Sequence, residues 1–311
     1  MSKLENNIAL SVCANCGKGE ENSDDLKSCN ACTMVKYCNR DCQIAHRPQH
    51  KKACKKRAAE LHDKALFKEV EPEECPVCFR PFPNDDITKT LQTCCGKMIC
   101  YGCIFAMGGA NAGTKNFGMC PFCREKSSSS TEKGIIKKGM RKLMDAGNGE
   151  AFNSFGMAYA TGENGTPQDW VKANELYLKG GELGCADAYY NLANSYDDGN
   201  GVQVDKKKAR HYWELAAMSG QLDARHNLAC LEGQAGNYHR AYKHFMVAAR
   251  AGDEGSMDAV KRGFMNGFVT KVEYANALRA YEKIRDEMTS ESREKAVALF
   301  LGENINREKS G

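Results

Sequence analysis

The rear half of the chain carries a regular pattern of small and apolar positions. Four glycines recur at intervals of 37, 36 and 32 residues, and a small residue follows each of them four positions later: Gly147 and Ala151, Gly184 and Ala188, Gly220 and Ala224, Gly252 and Ser256. A period of this length is typical of repeats made of two helices. The pattern therefore predicts an α-solenoid whose units each contain a helix, a glycine turn and a second helix.

Within the second unit the apolar residues fall at helical spacing. They form two stripes, Ala188, Leu192 and Tyr196 on one helix, and Ala209, Tyr212 and Ala216 on the next. Small residues let two helix axes approach, and the larger side chains fill the remaining grooves. We predict repeats over residues 147–288, with a degenerate last unit that caps the solenoid, and then a C-terminal helix and tail over 289–311.

Composition places the chain in an intracellular, reducing setting. The chain has 311 residues and 17 cysteines, and its net charge of +4 is too small to imply nucleic acid by itself. Its first ten residues show neither a basic nor an apolar signal region, and no apolar run is long enough to span a membrane. We therefore expect a cytoplasmic or nuclear protein without membrane contact, in which clustered thiols bind metal.

Eight of the cysteines fall within residues 75–124. They form three C-x-x-C pairs and one doublet: Cys75 and Cys78, Cys94 and Cys95, Cys100 and Cys103, Cys120 and Cys123. Two thiolates on one tight turn supply half of a tetrahedral zinc site, so eight thiols indicate two zinc ions. The stretch is too short to bury a sufficient core, and zinc would supply most of its folding free energy.

A second cysteine array lies at residues 13–54. Its members are Cys13, Cys16, Cys29, Cys32, Cys38, Cys42, His50 and Cys54. Cys42, His46, His50 and Cys54 recur every four residues, which places them on one face of a helix. Cys42 and Cys54 would lie about 18 Å apart on a continuous helix, so they must serve different ions. His46 is an alternative ligand to His50, although His50 has the better spacing to Cys54.

The front array resembles a MYND finger, with Tyr37-Cys38, Cys42-Gln43 and His50-Lys51 in the expected places. The resemblance implies two zinc sites, one held by Cys13, Cys16, Cys38 and Cys42, and the other by Cys29, Cys32, His50 and Cys54. It also implies a proline-rich peptide as a partner. Arg47, however, stands where a tryptophan is usual near that peptide surface, which argues against the peptide.

The second array resembles a RING finger of the all-cysteine type, because Lys97 stands where the common RING has a histidine. The resemblance implies an interleaved order, with one ion held by Cys75, Cys78, Cys100 and Cys103, and the other by Cys94, Cys95, Cys120 and Cys123. Fifteen cysteines and one histidine then give sixteen ligands. At four ligands per ion, we expect about four zinc ions.

The rear resembles Sel-one-like repeats, relatives of the tetratricopeptide repeat, in the stretch from Tyr190 to Gly220. Such solenoids present a concave surface to protein ligands. The predicted fold is mainly α, with two small cross-braced zinc domains ahead of an α-solenoid. The predicted domains are a MYND finger at 13–54, a helical basic linker at 55–74, a RING finger at 75–124, a linker at 125–146, the repeats at 147–288, and the C-terminal helix and tail at 289–311.

The RING resemblance implies a ubiquitin ligase that recruits a ubiquitin-conjugating enzyme, while the repeats hold a protein substrate. Such a ligase acts by positioning and uses no covalent nucleophile. Four apolar residues and one cation match the usual enzyme-binding groove in type and place: Val77, Ile104, Phe105, Pro121 and Arg124. The arginine has a fork of donors that suits two carbonyl acceptors.

Other functions are open at this point. A non-enzymatic scaffold or adaptor would have the same zinc sites and repeats without ubiquitin transfer. Nucleic-acid binding through the basic stretch from Arg47 to Arg57 is less favoured, because the fingers lack the readout helix of DNA-binding zinc modules. A methyltransferase is disfavoured, because residues 125–311 carry helical repeats and no cofactor-binding pattern.

Overall fold

The computed structural model describes residues 12–19, 26–84, 89–110, 119–120, 122–125, 133–163 and 165–308. The chain divides into two compact units, Met1–Lys68 and Glu69–Gly311. The first unit contains the front cysteine array. The second contains residues 75–124, called here the cysteine module, together with the helical repeats.

The first unit is a small hairpin followed by a long helix. Strands β1 (Lys27–Ser28) and β2 (Lys36–Tyr37) pair antiparallel, and helix α1 spans Arg40–Leu66. The side-chain oxygen of Asn39 caps α1 by accepting the Cys42 amide at 2.8 Å. The helix therefore covers the predicted ligand face from Cys42 to Cys54. It ends eight residues before the predicted linker does.

The cysteine module is built on a second hairpin. Strands β3 (Lys89–Leu91) and β4 (Met98–Cys100) pair antiparallel, with Thr90 opposite Ile99, and helix α2 (Tyr101–Ala110) follows directly. The buried cluster of the module consists of Cys75, Phe82, Ile99, Cys100 and Cys103. Three of these five are cysteines, so apolar burial alone cannot stabilise so small a core.

Ten helices follow in the part of the chain that the structure describes: α3 (Lys133–Asp145), α4 (Gly149–Thr161), α5 (Trp170–Glu182), α6 (Ala186–Asp198), α7 (Lys206–Met218), α8 (Leu222–Gln234), α9 (Tyr238–Arg250), α10 (Glu254–Met265), α11 (Lys271–Met288) and α12 (Glu291–Glu308). Helix α3 lies inside the interval 125–146 that the sequence analysis predicts as a linker. Its apolar residues Met140, Leu143 and Met144 recur at helical spacing, and Leu143 is buried.

Helices α4 to α11 form four successive antiparallel pairs, as the glycine period predicts. The four small residues of that period, Ala151, Ala188, Ala224 and Ser256, are all fully buried. Gly184, Gly220 and Gly252 join one pair to the next with φ between 92° and 101°, a conformation that favours glycine. The predicted fold class, a mainly α chain with a paired-helix solenoid, is confirmed.

A buried carboxylate joins three of the repeat helices. Glu232 of α8 accepts hydrogen bonds from Asn237 at 2.8 Å, from Arg240 of α9 at 3.3 Å, and from Arg210 of α7. Burial acts to raise the pKa of Glu232, but hydrogen bonds from Asn237 and Arg210 outweigh it and lower the pKa. The carboxylate therefore stays ionised and holds α7 and α9 against α8.

None of the helices in the described ranges combines the length and the apolar character that crossing a lipid bilayer requires.

The repeat core should respond to loss of one buried side chain. Leu228 of α8 is 0 % exposed, so Leu228→Ala should lower the free energy of unfolding of the repeats by about 2–5 kcal/mol. Val272→Ala is the control, because Val272 is 69 % exposed on α11. Urea unfolding followed by circular dichroism at 222 nm measures both. Equal midpoints for the two variants would contradict the packing described here.

Candidate metal centres

The structure brings sixteen side chains together in four groups of four, and within each group the ligand atoms all lie within 4.8 Å of one another. The first unit contains two groups, Cys13, Cys16, Cys38 and Cys42, and Cys29, Cys32, His50 and Cys54. The cysteine module contains the other two, Cys75, Cys78, Cys100 and Cys103, and Cys94, Cys95, Cys120 and Cys123. In both regions the chain alternates between the two groups, which gives a cross-braced order.

The sulfur separations fit a metal tetrahedron. In the first unit, the Sγ atoms of Cys16 and Cys38 are 3.7 Å apart, and those of Cys38 and Cys42 are 3.6 Å apart. Four sulfurs at about 2.3 Å from a zinc ion would be separated by about 3.8 Å. A disulfide would require about 2.05 Å. The spacing therefore suits thiolates around one ion and excludes a covalent pair.

The cysteine module repeats this spacing. The Sγ atoms of Cys75 and Cys103 are 3.9 Å apart, and those of Cys78 and Cys100 are also 3.9 Å apart. In the other group the Sγ atoms of Cys95 and Cys120 are 3.6 Å apart. All four groups thus provide the soft sulfur donors and the separations that zinc prefers.

Backbone geometry at the C-x-x-C pairs is also that of a metal-binding turn. Among the described residues, the non-glycine residues with φ above zero are Thr33, Phe79 and Arg124, with φ of 54–58°. Each directly follows the second cysteine of a pair, and its amide donates to the carbonyl of the first cysteine at 2.8–3.0 Å. Left-handed backbone costs a non-glycine residue about 1–2 kcal/mol. The same strained turn at three independent pairs fits a bound ion that keeps both sulfurs on one side.

The cysteine doublet lies at the tip of the hairpin between β3 and β4. Gly96 has φ of 72°, and the amides of Cys95 and Gly96 both donate to the Gln92 carbonyl, at 3.2 and 2.7 Å. This tight turn brings the sulfurs of the adjacent residues Cys94 and Cys95 into one group. Lys97, at the position of the usual RING histidine, is exposed.

In several groups, hydrogen bonds from backbone amides stabilise the thiolate form of one cysteine and lower its pKa. Burial acts to raise the pKa of Cys13, but amides of Cys16, Cys38 and Asn15 outweigh it and lower the pKa to about 6. Burial also acts to raise the pKa of Cys75, but hydrogen bonds from backbone amides outweigh it and lower the pKa to about 7. A hydrogen bond with Cys42 and burial raise the pKa of Cys38 to about 12. Thiolates that lie close together repel one another, which opposes ionisation of the whole group. A cation at the centre of the group would offset this repulsion and ionise all four thiols.

The structure distinguishes the two candidate histidines. The Nε2 atom of His50 lies 3.2 Å from the Sγ atom of Cys32, within the second group. His46 lies outside that group, where its Nδ1 atom is 3.1 Å from the hydroxyl of Tyr37 and its ring stacks on His50. The geometry therefore favours His50 as the candidate ligand, with His46 stacked against its ring outside the group.

The residues predicted to contact a conjugating enzyme differ in exposure. Val77 and Ile104 are half-buried and pack against the buried cluster of the cysteine module. Phe105 of α2 is 38 % exposed, and Arg124 is exposed. Pro121 lies outside the described residues.

Two exposed aromatic residues on the same module were not singled out from the sequence, Phe79 and Phe122, which are 74 % and 39 % exposed. The sequence signal that could have identified them is their position beside a cysteine pair, since Phe79 directly follows Cys78 and Phe122 directly precedes Cys123.

Comparison with family models covers two parts of the chain. Residues 13–54 match the MYND finger. Residues 154–185, 186–221 and 222–253 match the Sel1 repeat. The first unit is therefore a zinc-binding MYND finger, and the solenoid contains Sel1 repeats, which indicate protein partners in general. No RING family model matches, so the RING assignment rests on the cysteine module alone.

Two of the solved structures to which this chain is similar are described by their repeats or repeat fold. The protective antigen c5321 of uropathogenic Escherichia coli strains, which displays an SLR fold, is 23 % identical with a TM-score of 0.44, covering 51 % of this chain. The chain spans only 35 % of the length of that antigen. A Sel1 repeat protein from Oxalobacter formigenes is 22 % identical with a TM-score of 0.44, covering 60 % of this chain and 70 % of its own. Comparison with curated proteins finds no match.

Metal content should follow the four groups. Purified protein should contain about four equivalents of zinc by mass spectrometry under native conditions, and Cys120→Ser should contain about three, because it removes one ligand of the fourth group. Cys230→Ser is the matched control, since Cys230 is an exposed cysteine outside all four groups. Four equivalents in the Cys120→Ser protein would exclude that residue as an essential ligand.

The two histidines should separate in the same measurement. His50→Ala removes a ligand atom and should lower the zinc content by one equivalent. His46→Ala should keep all of the zinc, because it removes only the Tyr37 hydrogen bond and the ring contact. Should His46→Ala lose an equivalent while His50→Ala retains it, the ligand assignment is reversed.

Proposed function

We propose that the chain is a RING-type ubiquitin ligase whose cysteine module recruits a ubiquitin-conjugating enzyme and whose repeats hold a protein substrate. The observation that carries the proposal is the interleaved pair of four-cysteine groups with Phe105 and Arg124 exposed on the same module. The chain would act by holding the thioester-linked ubiquitin in a reactive pose, without forming a covalent intermediate. Zinc would be its structural cofactor.

The apolar residues of the module support docking of an enzyme. Val77 and Ile104 rest on the buried cysteine cluster, which fixes their positions, and Phe105 adds exposed aromatic surface on α2. Aromatic residues on a rigid base are effective anchors in protein interfaces, because little side-chain entropy is lost on binding. Phe79, with 74 % of its surface exposed, is a further exposed aromatic residue on the same module.

Arg124 supports the second part of the proposed mechanism. Its backbone is held in the left-handed region with φ of 58°, and its amide donates to the Cys120 carbonyl at 3.0 Å. The point at which the side chain leaves the module is therefore fixed by the last cysteine pair. From there, a planar guanidinium can donate to carbonyl groups of the enzyme and of ubiquitin at the same time.

The second unit also contains a cavity that could hold part of a substrate. Its volume is about 650 Å³, and charged residues from the segment before the cysteine module, from β3 and from the repeats line it, among them Glu69, Lys89, Arg225 and Arg250. Arg250 forms an ion pair with Glu69 at 2.6 Å. A polar, charged wall of this kind suits a protein segment better than an apolar small molecule.

A non-enzymatic adaptor is the second candidate, and one observation favours it. The cysteine module is bonded into the solenoid, since Arg80 donates to the carbonyls of Glu287 and Thr289 at 3.2 and 3.1 Å and α12 packs along α2. Such a module could serve as a structural brace. An adaptor would bind its partners normally after Arg124→Ala and would transfer no ubiquitin.

A reconstituted autoubiquitination reaction with a panel of conjugating enzymes tests the two candidates. Val77→Ala and Arg124→Ala should each lower the rate at least tenfold, because they remove an anchor and a bridging cation. Arg262→Ala, which removes an exposed arginine on α10, should leave the rate unchanged. Each variant is first checked for full zinc content.

Absence of transfer with every conjugating enzyme, in protein with full zinc content, would leave the adaptor as the function. Transfer that is insensitive to both Val77→Ala and Arg124→Ala would contradict the proposed contact surface.

A further inference from the structure

Arg293, near the start of α12, is an arginine buried beside the cysteine module. It is only 6 % exposed, and its Nη1 atom donates to the carbonyls of Pro81 and Met288, each at 2.6 Å. Its Nη2 atom donates to the carbonyl of Arg80 at 3.3 Å. No carboxylate among the described residues pairs with this guanidinium. A buried cation is unfavourable unless a negative group faces it.

The group that faces Arg293 is a cysteine sulfur, which carries negative charge when it binds zinc as a thiolate. Its Nη2 atom lies 3.4 Å from the Sγ atom of Cys78, which belongs to the group with Cys75, Cys100 and Cys103. Four thiolates around one Zn²⁺ carry a net charge of about −2. A hydrogen-bonding cation outside the ligand shell stabilises such a centre. The zinc-loaded group would therefore supply the charge that the buried guanidinium requires.

The same region shows close contact between two helices. A Cβ atom added to Gly102 of α2 would lie 2.6 Å from Cγ and 2.8 Å from the backbone nitrogen of Arg293. Only glycine lets α12 lie so close to α2. Arg80 of the cysteine module donates in turn to the carbonyls of Glu287 and Thr289 at the end of α11. Two arginines thus cross between the module and the C-terminal helices.

We propose that Arg293 is an outer-sphere partner of the Cys75, Cys78, Cys100 and Cys103 zinc centre, and that metal occupancy of this centre is coupled to docking of α12 on α2. Coupling of this kind is reciprocal in free energy, so zinc stabilises the docked helix and the docked helix tightens zinc binding. We expect the tighter binding to appear as slower loss of zinc to a chelator. The proposal requires zinc at this centre but does not require ubiquitin transfer.

The test uses the full-length, zinc-loaded protein challenged with EDTA, with native mass spectrometry to count the ions that remain. Arg293→Gln removes the charge, and Gly102→Ala displaces the start of α12, Arg293 included, while every ligand and the positive charge are kept. Each should release one zinc equivalent at least tenfold faster than the parent protein, within the range known for outer-sphere partners. N-ethylmaleimide labelling after the challenge should map to Cys75, Cys78, Cys100 and Cys103.

Hydrogen exchange provides the second readout. Amides of residues 291–299 should exchange faster in Arg293→Gln and in Gly102→Ala, both before and after the challenge. Lys295→Gln is the matched control, since Lys295 is exposed on the same helix and pairs only with Glu291 among the described residues. It should resemble the parent protein in both measurements.

Three outcomes would overturn the proposal. The first is zinc retention at the parent level in Arg293→Gln. The second is faster zinc loss with full protection of α12 against exchange, which would separate the metal from the helix. The third is absence of zinc from this centre in the parent protein. None of these results depends on whether the chain transfers ubiquitin.

Discussion

The interleaved order of the cysteine pairs, which brings four candidate metal ligands together in each of four groups, is the constraint on which both cysteine-rich regions depend. The buried cluster of the MYND finger consists of Cys13, Leu26, Cys29, Cys32 and Tyr37, so most of its buried side chains are also ligands. So few apolar groups cannot offset the conformational entropy of the chain, and zinc binding must supply the difference. The cysteine module has the same composition at its centre, and the proposed ions would have the same role there.

The repeats are stabilised differently. Fully buried alanines such as Ala188 and Ala224 let the helices approach, and Leu228 fills the space between them. Glu232 of α8 supplies an ionised hydrogen-bond acceptor for α7 and α9. None of these contacts involves a metal ligand. The chain therefore combines two kinds of stability, one that depends on a metal and one that depends on packing. The contacts of Arg293 and Arg80 join the cysteine module to the C-terminal helices, where the two kinds are in contact.

The sequence predicts most of what is local. C-x-x-C pairs predict the positions of the two cysteine-rich regions, and a glycine period of 32–37 residues predicts the solenoid. The sequence favours His50 over His46 by its spacing to Cys54, but it does not show what His46 contacts instead, because that depends on where Tyr37 lies across the hairpin. Within the interval 125–146, predicted as a linker, the structure has helix α3, whose apolar residues Met140, Leu143 and Met144 recur at helical spacing. Arg293 carries no local signal, since its partner is remote in sequence.

The contact between Arg293 and Cys78 joins residues that are 215 positions apart. A chain leaves the ribosome from its N-terminus, so the last ligand of the MYND finger emerges early and that finger can close at once. The cysteine module obtains its own ligands by residue 123, yet the guanidinium that covers Cys78 is translated only after the repeats. While the repeats are being synthesised, the nascent protein therefore carries a partly uncovered cysteine cluster, and that cluster is completed only after the solenoid that follows it has been made.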